Sequence, residues 1–347
     1  MRMRLPTALA RAANREPLPR RKVLTLGTGV LLLGAVGWQA LDRSTKRELV
    51  RKQARALGSD ITLTALHENA NIARKAIEHA FMKLEEIEQI LSLYRSESQI
   101  FRLNRDGKLD QAHPHLLRVL AYAHKVSSAS GGAFDISVQP LWKAFHEADK
   151  RGVLPSTLDV DMARSKVGWK RVRMTGERVH LDGEGTAITL NGIAQGYAAD
   201  CVKRVLADAG IEHALIDCGE INALGNSSSD APWNVGIHHP RELDAFVSVA
   251  QLSERCLATS GDYATRFAGD CRWNHLFDPK TGHSPNELAS VSVVAPTAME
   301  ADALSTAVFV AGVERGMHLM RAFPNTDAFL VLKNGRTLVT KGFPCKV

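Results

Sequence analysis

Leu257–Phe267 reads LATSGDYATRF, Asn274–Pro285 reads NHLFDPKTGHSP and Ala295–Thr306 reads APTAMEADALST. An apolar run at Val291–Val294 predicts a strand, and the residues after it predict a helix over Met299–Val310. On that helix Asp302 and Thr306 stand at i, i+4 and so share one face. Two oxygen donors side by side suit a hard divalent cation, which prefers oxygen and leaves room for substrate phosphates. His275, just ahead of the Asp278-Pro279 turn, supplies a group that exchanges protons near neutral pH. Cation, phosphate and base together point to chemistry at phosphorus.

Working outward, strands and helices alternate without a regular βαβ rhythm. That favours an α+β protein with mixed or antiparallel sheets and packed helices over a doubly wound sheet. Strands are expected at Ile61–Leu66, Phe134–Val138, Arg171–Met174, Val179–Leu181, Ala214–Asp217, Trp233–Ile237 and Phe246–Leu252. Ala328–Leu332 and Arg336–Val339 read as a closing hairpin around Asn334-Gly335. Helices are expected over Asn71–Tyr94, His115–Ser128 and Ile193–Ala209, the last ending at Gly210. In the first, Ile72, Ile77, Phe81, Leu84, Ile87 and Leu91 form an apolar stripe that reads as core.

With 347 residues, 45% hydrophobic and 23% charged, the chain has the composition of a globular protein. Its net charge of +7 comes almost entirely from residues 1–40, where seven Arg and Lys face the single acid Glu16. The body is close to neutral, which removes the compositional case for a nucleic-acid partner. The basic segment ends in Arg20-Arg21-Lys22, directly before the apolar, Gly-rich run Val23–Gly37. Residues 1–42 therefore read as a twin-arginine-type export leader, with an ordinary secretory signal as the other reading. A retained anchor over Val23–Leu41 is also open, because bulky Trp38 makes a poor cleavage site before Ala40. Either way the body is expected in the periplasm. Residues 43–56 read as a charged linker, and 57–345 as one domain. The five cysteines form no C-x-x-C pair; Cys256 and Cys271 could bridge or stay free.

Five blocks occur in order: Leu93–Ile100 with Leu103-Asn104, Gly132–Val138 with Pro140-Leu141, Asn191–Asp200, Thr259–Tyr263, and His275–Pro285 with Asp302–Thr306. In these blocks the chain resembles the ApbE family of FAD:protein FMN transferases over roughly Leu57–Thr340; with its leader it looks like the NosX branch, linked to nitrous oxide respiration. The resemblance implies Mg²⁺-dependent cleavage of FAD, transfer of FMN to a Thr or Ser hydroxyl of another protein, and release of AMP. The implied acceptor is a protein with an FMN-binding domain (NosR/RnfG/NqrC-like) in respiratory electron transfer. Carried over by position, Asp302, Thr306 and the backbone at Gly192 and Ser305 would hold the metal, and His275 would be the base. Leu57, Tyr94, Ala133, Phe134, Asp135, Thr189, Gln195, Ser260, Gly261, Asp262 and Leu276 would contact FAD. The family often has an acid where Thr189 stands, Gly at Asn191, Lys at Gln195 and Gly at Glu220. Glu220 receives no role. Two other readings share these residues: an FAD pyrophosphatase using water as acceptor, and a non-catalytic FAD-binding assembly factor.

Overall fold

The computed structural model describes residues 47–227, 231–242 and 244–345, with the backbone of Leu9–Ala10 and Leu18–Pro19. Two strands, β1 (Glu48–Ala56) and β2 (Ser59–His67), form a hairpin. After them come α1 (Ala70–Leu91), α2 (Gln99–Asp106), α3 (Pro114–Ala129), α4 (Gln139–Asp149) and α5 (Thr157–Arg164). The short strands β3 (Val172–Thr175) and β4 (Arg178–Leu181) precede α6 (Ala194–Asp208). Then follow β5 (His213–Asp217), β6 (Ile221–Leu224), β7 (Trp233–His238), β8 (Ala245–Leu252), β9 (Cys256–Gly261) and β10 (Leu288–Ala295). Helix α7 (Ala298–Met320) and the hairpin β11 (Asp327–Leu332) to β12 (Thr337–Thr340) close the chain.

The main sheet has nine strands in the order Leu9–Ala10, β12, β11, β10, β9, β6, β5, β2, β1. Every pair is antiparallel. Period-2 alternation assigns its two faces. Cys256 and Ala258 of β9, Val291 and Val293 of β10, and Ala328 and Leu330 of β11 pack with the helices. Leu257, Val294, Phe329 and Val331 face the other way, against Trp233, Val235 and Leu252 of the β7–β8 hairpin. The fold is α+β: a helical layer, a central antiparallel sheet and a smaller sheet behind it. Helix α7 is buried on nearly all sides through Ala301, Leu304, Ala307, Val308 and Phe309, as befits a central helix. It breaks at Gly312 (φ 77°), and Glu287 accepts the Val313 N–H at 3.0 Å where the second half restarts.

Several expectations change. The supposed linker 43–56 contains β1, whose charged residues stay exposed because it is the edge strand of the sheet, where charge is well tolerated. Phe134–Val138 is not a strand. Asp135 accepts the Ser137 N–H and closes a 3₁₀ turn over Ile136–Val138, which feeds α4 with Pro140 in its first turn. Ile72 is exposed, and the buried stripe of α1 runs instead through Ala73, Ala76, Ile77, Ala80, Leu84, Ile87 and Leu91. All five cysteines are free thiols. The leader reading of 1–42 falls outside the described residues apart from the two short strands. Among the described residues no helix is long and apolar enough to cross a membrane.

Candidate active site

Two helix N-termini meet at the centre of the site. Asp200 of α6 accepts from the N–H groups of Ala298 (2.8 Å) and Met299 (3.0 Å), capping α7 from its neighbour. Asn222 steadies that carboxylate at 2.8 Å. Gly196 brings the helices together: a Cβ there would lie 2.6 Å from the carbonyl carbon of Ala298 and 2.8 Å from Cβ of Asp302. In return the Gly196 N–H donates to Asp302 Oδ2 at 3.0 Å. Asp302 thus sits at the positive end of α6, where an anion is favoured. Burial nevertheless pushes its carboxyl well above the usual carboxylate range, against the lowering effect of that N–H.

One turn on, the Thr306 hydroxyl lies 3.1 Å from Ser260 Oγ. Ser260 shares the helix-facing side of β9 with Cys256 and Ala258, and its hydroxyl also meets Ser305 Oγ at 2.8 Å. Gly192 closes the group, since a Cβ on it would come within 2.9 Å of Thr306 Oγ1. Its segment is clamped from α2. Asn104 donates to Ile188 O (2.8 Å) and accepts the Ile188 N–H (2.7 Å). A buried carboxylate, a hydroxyl and an adjacent backbone, all oxygen donors, fit a hard divalent ion.

His275 lines the same cavity. Asn274 and Ser284 hold its loop: Asn274 N–H donates to Ser284 Oγ (2.9 Å), and that hydroxyl donates back to Asn274 O (2.7 Å). Asp278 closes the following turn by accepting the Lys280 N–H (2.9 Å), and its carbonyl accepts the Gly282 N–H (2.8 Å). Burial holds the imidazole pKa below its ordinary value, and Nδ1 is buried without a hydrogen-bond partner. At neutral pH the ring is therefore uncharged and able to accept a proton.

The cavity has a volume of about 600 Å³. Its wall brings together His275, Leu57, Tyr94, Ala133, Phe134, Asp135, Thr189, Gln195, Ser260, Gly261, Leu276, Gly192, Asp302 and Thr306. Leu57 is presented by the β1–β2 turn, where Leu57 (φ 53°) and Gly58 (φ 75°) both take the left-handed region of a two-residue hairpin. Gln195 ties that turn to α6 by donating to Ser59 Oγ at 2.9 Å. Tyr94 is 76% exposed and stands at the mouth. Asp135 is buried, and its oxygens already accept from Ser137 N (2.8 Å), Ser137 Oγ (2.6 Å) and Trp169 N (2.9 Å).

Two expected residues are not in the wall. Asp262 is fully buried and forms a two-pronged pair with Arg241 (2.7 and 2.8 Å), with Lys333 at 3.4 Å. Its carboxylate is committed to that triad. Ser305, expected to contribute its backbone, does not line the cavity; its hydroxyl donates to Asp302 O (2.9 Å) and meets Ser260 Oγ at 2.8 Å. Conversely, Glu220 lines the cavity, 8% exposed, in the turn between β5 and β6. Burial foremost, then the Asp302 charge, raise its carboxyl. In sequence a lone Glu carries no pattern; only the Cys218-Gly219 turn before it marks a bend.

Fold and site together define an antiparallel α+β protein in which one cavity of about 600 Å³ carries oxygen donors that suit a hard cation and a neutral imidazole on its wall. The chain belongs to the ApbE family, whose model matches residues 57–330. An FAD:protein FMN transferase of Treponema pallidum (strain Nichols) is 30% identical over 297 residues, covering 78% of this chain and 81% of the relative. One from Escherichia coli (strain K12) is 28% identical over 271 residues, covering 74% and 77%. Among solved structures, the apo Pseudomonas stutzeri flavinyl transferase ApbE superposes with a TM-score of 0.74 at 28% identity, covering 87% of this chain and 98% of that one. The ApbE protein of Thermotoga maritima gives 0.77 at 26% identity, covering 85% and 97%.

Proposed function

We propose that the protein is an FAD:protein FMN transferase that works with Mg²⁺. The observation that carries this reading is the convergence of Asp302, Thr306, Gly192 and His275 on one cavity of about 600 Å³. The relatives' names agree with it.

Asp302, Thr306 and the backbone of Gly192 would hold the ion, which neutralises pyrophosphate charge when bound. Leu57, Phe134 and Leu276 offer apolar wall to a flat ring, and Tyr94 offers an aromatic face at the mouth. Ser260 sets its hydroxyl 3.1 Å from Thr306 Oγ1, beside the ion's donors. In the reaction a Thr or Ser hydroxyl oxygen of the acceptor attacks the FMN phosphorus. The new P–O bond forms as the bond to the bridging oxygen breaks, AMP departs with that oxygen, and the hydroxyl proton passes to the His275 imidazole. Positioning and charge neutralisation supply most of the rate in such transfers.

The Arg20-Arg21 leader supports export to the periplasm by the twin-arginine route, or retention at the inner membrane through residues 23–41. There the acceptor would be an FMN-binding domain of the NosR/RnfG/NqrC type in a respiratory electron-transfer protein. The test is mass spectrometry of such a domain incubated with the protein, FAD and Mg²⁺. One FMN minus water should be gained at a single Thr or Ser, with AMP released in equal amount. AMP release without any adduct would overturn the transferase reading in favour of hydrolysis.

A further inference from the structure

We propose that Glu220 is a second carboxylate of the cation site, acting on the ion together with Asp302. The inference rests on the reading that Asp302 and Thr306 hold the ion, and extends it to a residue to which no role attaches. Both carboxylates are buried on the wall of one cavity, Asp302 at 3% exposure and Glu220 at 8%. Strand β9 fixes their relation. Thr259 N–H donates to Glu220 Oε2 at 3.2 Å, and the next residue, Ser260, places its hydroxyl 3.1 Å from Thr306 Oγ1.

Glu220 pairs with no Lys, Arg or His among the described residues; a backbone N–H is its one hydrogen-bond donor there. A buried carboxylate without a cationic partner is strongly disfavoured, and two facing one cavity are worse. Asp262 shows how the same fold treats an acid meant to stay inside: it surrounds it with Arg241 and Lys333. Glu220 and Asp302 receive no such partner, and both line the cavity that Thr306 and Gly192 also line. Mg²⁺ keeps several waters when bound, so Glu220 can act through the water shell without touching the metal. The Gly219 turn (φ 90°) before it holds the side chain in place, and Gln195 packs on that glycine.

Titration of the full chain with Mn²⁺ in the absence of FAD, followed by electron paramagnetic resonance of the free ion, tests this without any turnover. Glu220→Gln should weaken Mn²⁺ binding about tenfold or more, the range seen when groups around a metal's direct ligands are removed. Without ion, the variant should melt at or above wild type, since one of two crowded carboxylates is gone; with ion, its gain in melting temperature should be smaller. Unchanged Mn²⁺ affinity in Glu220→Gln, beside a large loss in Asp302→Asn, would overturn the role of Glu220 alone. Unchanged affinity in both would overturn the site itself. If Glu220→Gln melts well below wild type without ion, Glu220→Asp decides. It keeps the charge and should bind Mn²⁺ close to wild type, and an equal loss in both variants would show that the residue only packs the turn.

Discussion

Gly196→Ala tests whether the approach of α6 to α7 builds the site. In an ordinary helix interior this substitution stabilises by about 1 kcal/mol, because alanine is the better helix former. Here the new methyl would sit 2.6 Å from the carbonyl carbon of Ala298 and 2.8 Å from Cβ of Asp302, distances that real side chains do not adopt. Both neighbours lie on a buried helix, so the helices must separate by roughly 0.5–1 Å, and overpacking of this kind costs about 1–3 kcal/mol. Separation also stretches the 3.0 Å bond from Gly196 N–H to Asp302, a charge-assisted contact worth about 1.5–3 kcal/mol. The clash and the stretched bond outweigh the propensity gain, for a net loss of about 1–3 kcal/mol. Displacement of Asp302 by about 1 Å should lower transfer about 10²-fold. Urea unfolding and FMN transfer to an acceptor domain measure the two effects. A variant as stable as wild type and equally active would refute the account of how Asp302 is placed.

Asp302→Asn should abolish Mg²⁺-dependent transfer and weaken FAD binding, read by flavin fluorescence with and without the ion. His275→Ala should leave FAD binding nearly intact while slowing transfer by about 10²–10⁴-fold; equal loss of binding in both variants would contradict the assigned roles. Burial depresses the His275 pKa, so its neutral form already dominates at pH 7. With Mg²⁺ saturating, so that Asp302 stays ionised, the transfer rate of wild type should therefore stay level through neutral pH and fall only as acidity carries the solution below the ordinary histidine value, and this acid limb should be missing from the residual rate of His275→Ala. Arg241→Ala strips the fully buried Asp262 of its two-pronged partner. It should destabilise the chain by about 3 kcal/mol, the lower end for a broken buried pair because Lys333 remains at 3.4 Å; chemical denaturation measures it.

Long periodic helices and the apolar strands were legible in the sequence because burial writes a period of 3.6 or 2 directly into residue choice. Helices α1, α3 and α6 and the closing hairpin follow that pattern. The short helices α2, α4 and α5 do not announce themselves. Ser98 and Ser156 cap two of them, signals that local side-chain bonding makes but periodicity does not. Residues 134–138 alternate like a strand, yet one carboxylate, Asp135, bends them into a turn. At the site, the fold sets His275, Gly192, Asp302 and Thr306, the residues that the resemblance singles out, on the wall of one cavity. Asp262 stands off that wall, held by Arg241 and Lys333, which are remote in sequence and near only after folding. Glu220 was unreadable for the same reason, because its meaning comes from Asp302 and β9 rather than from its own neighbours.

The interruption at Gly312 separates two mechanical duties within α7. The segment before it, carrying Asp302 and Thr306, is locked by α6 and β9; the segment after it leans toward the surface and begins on its own acceptor, Glu287. The rear segment and the donor oxygens are therefore not joined by one straight rod, although Gly316 packs closely on Val308 across the break. The rear segment's solvent-facing positions, Glu314 and Arg315, are the natural places to attach a probe, since they lie beyond the break and outside the cavity wall.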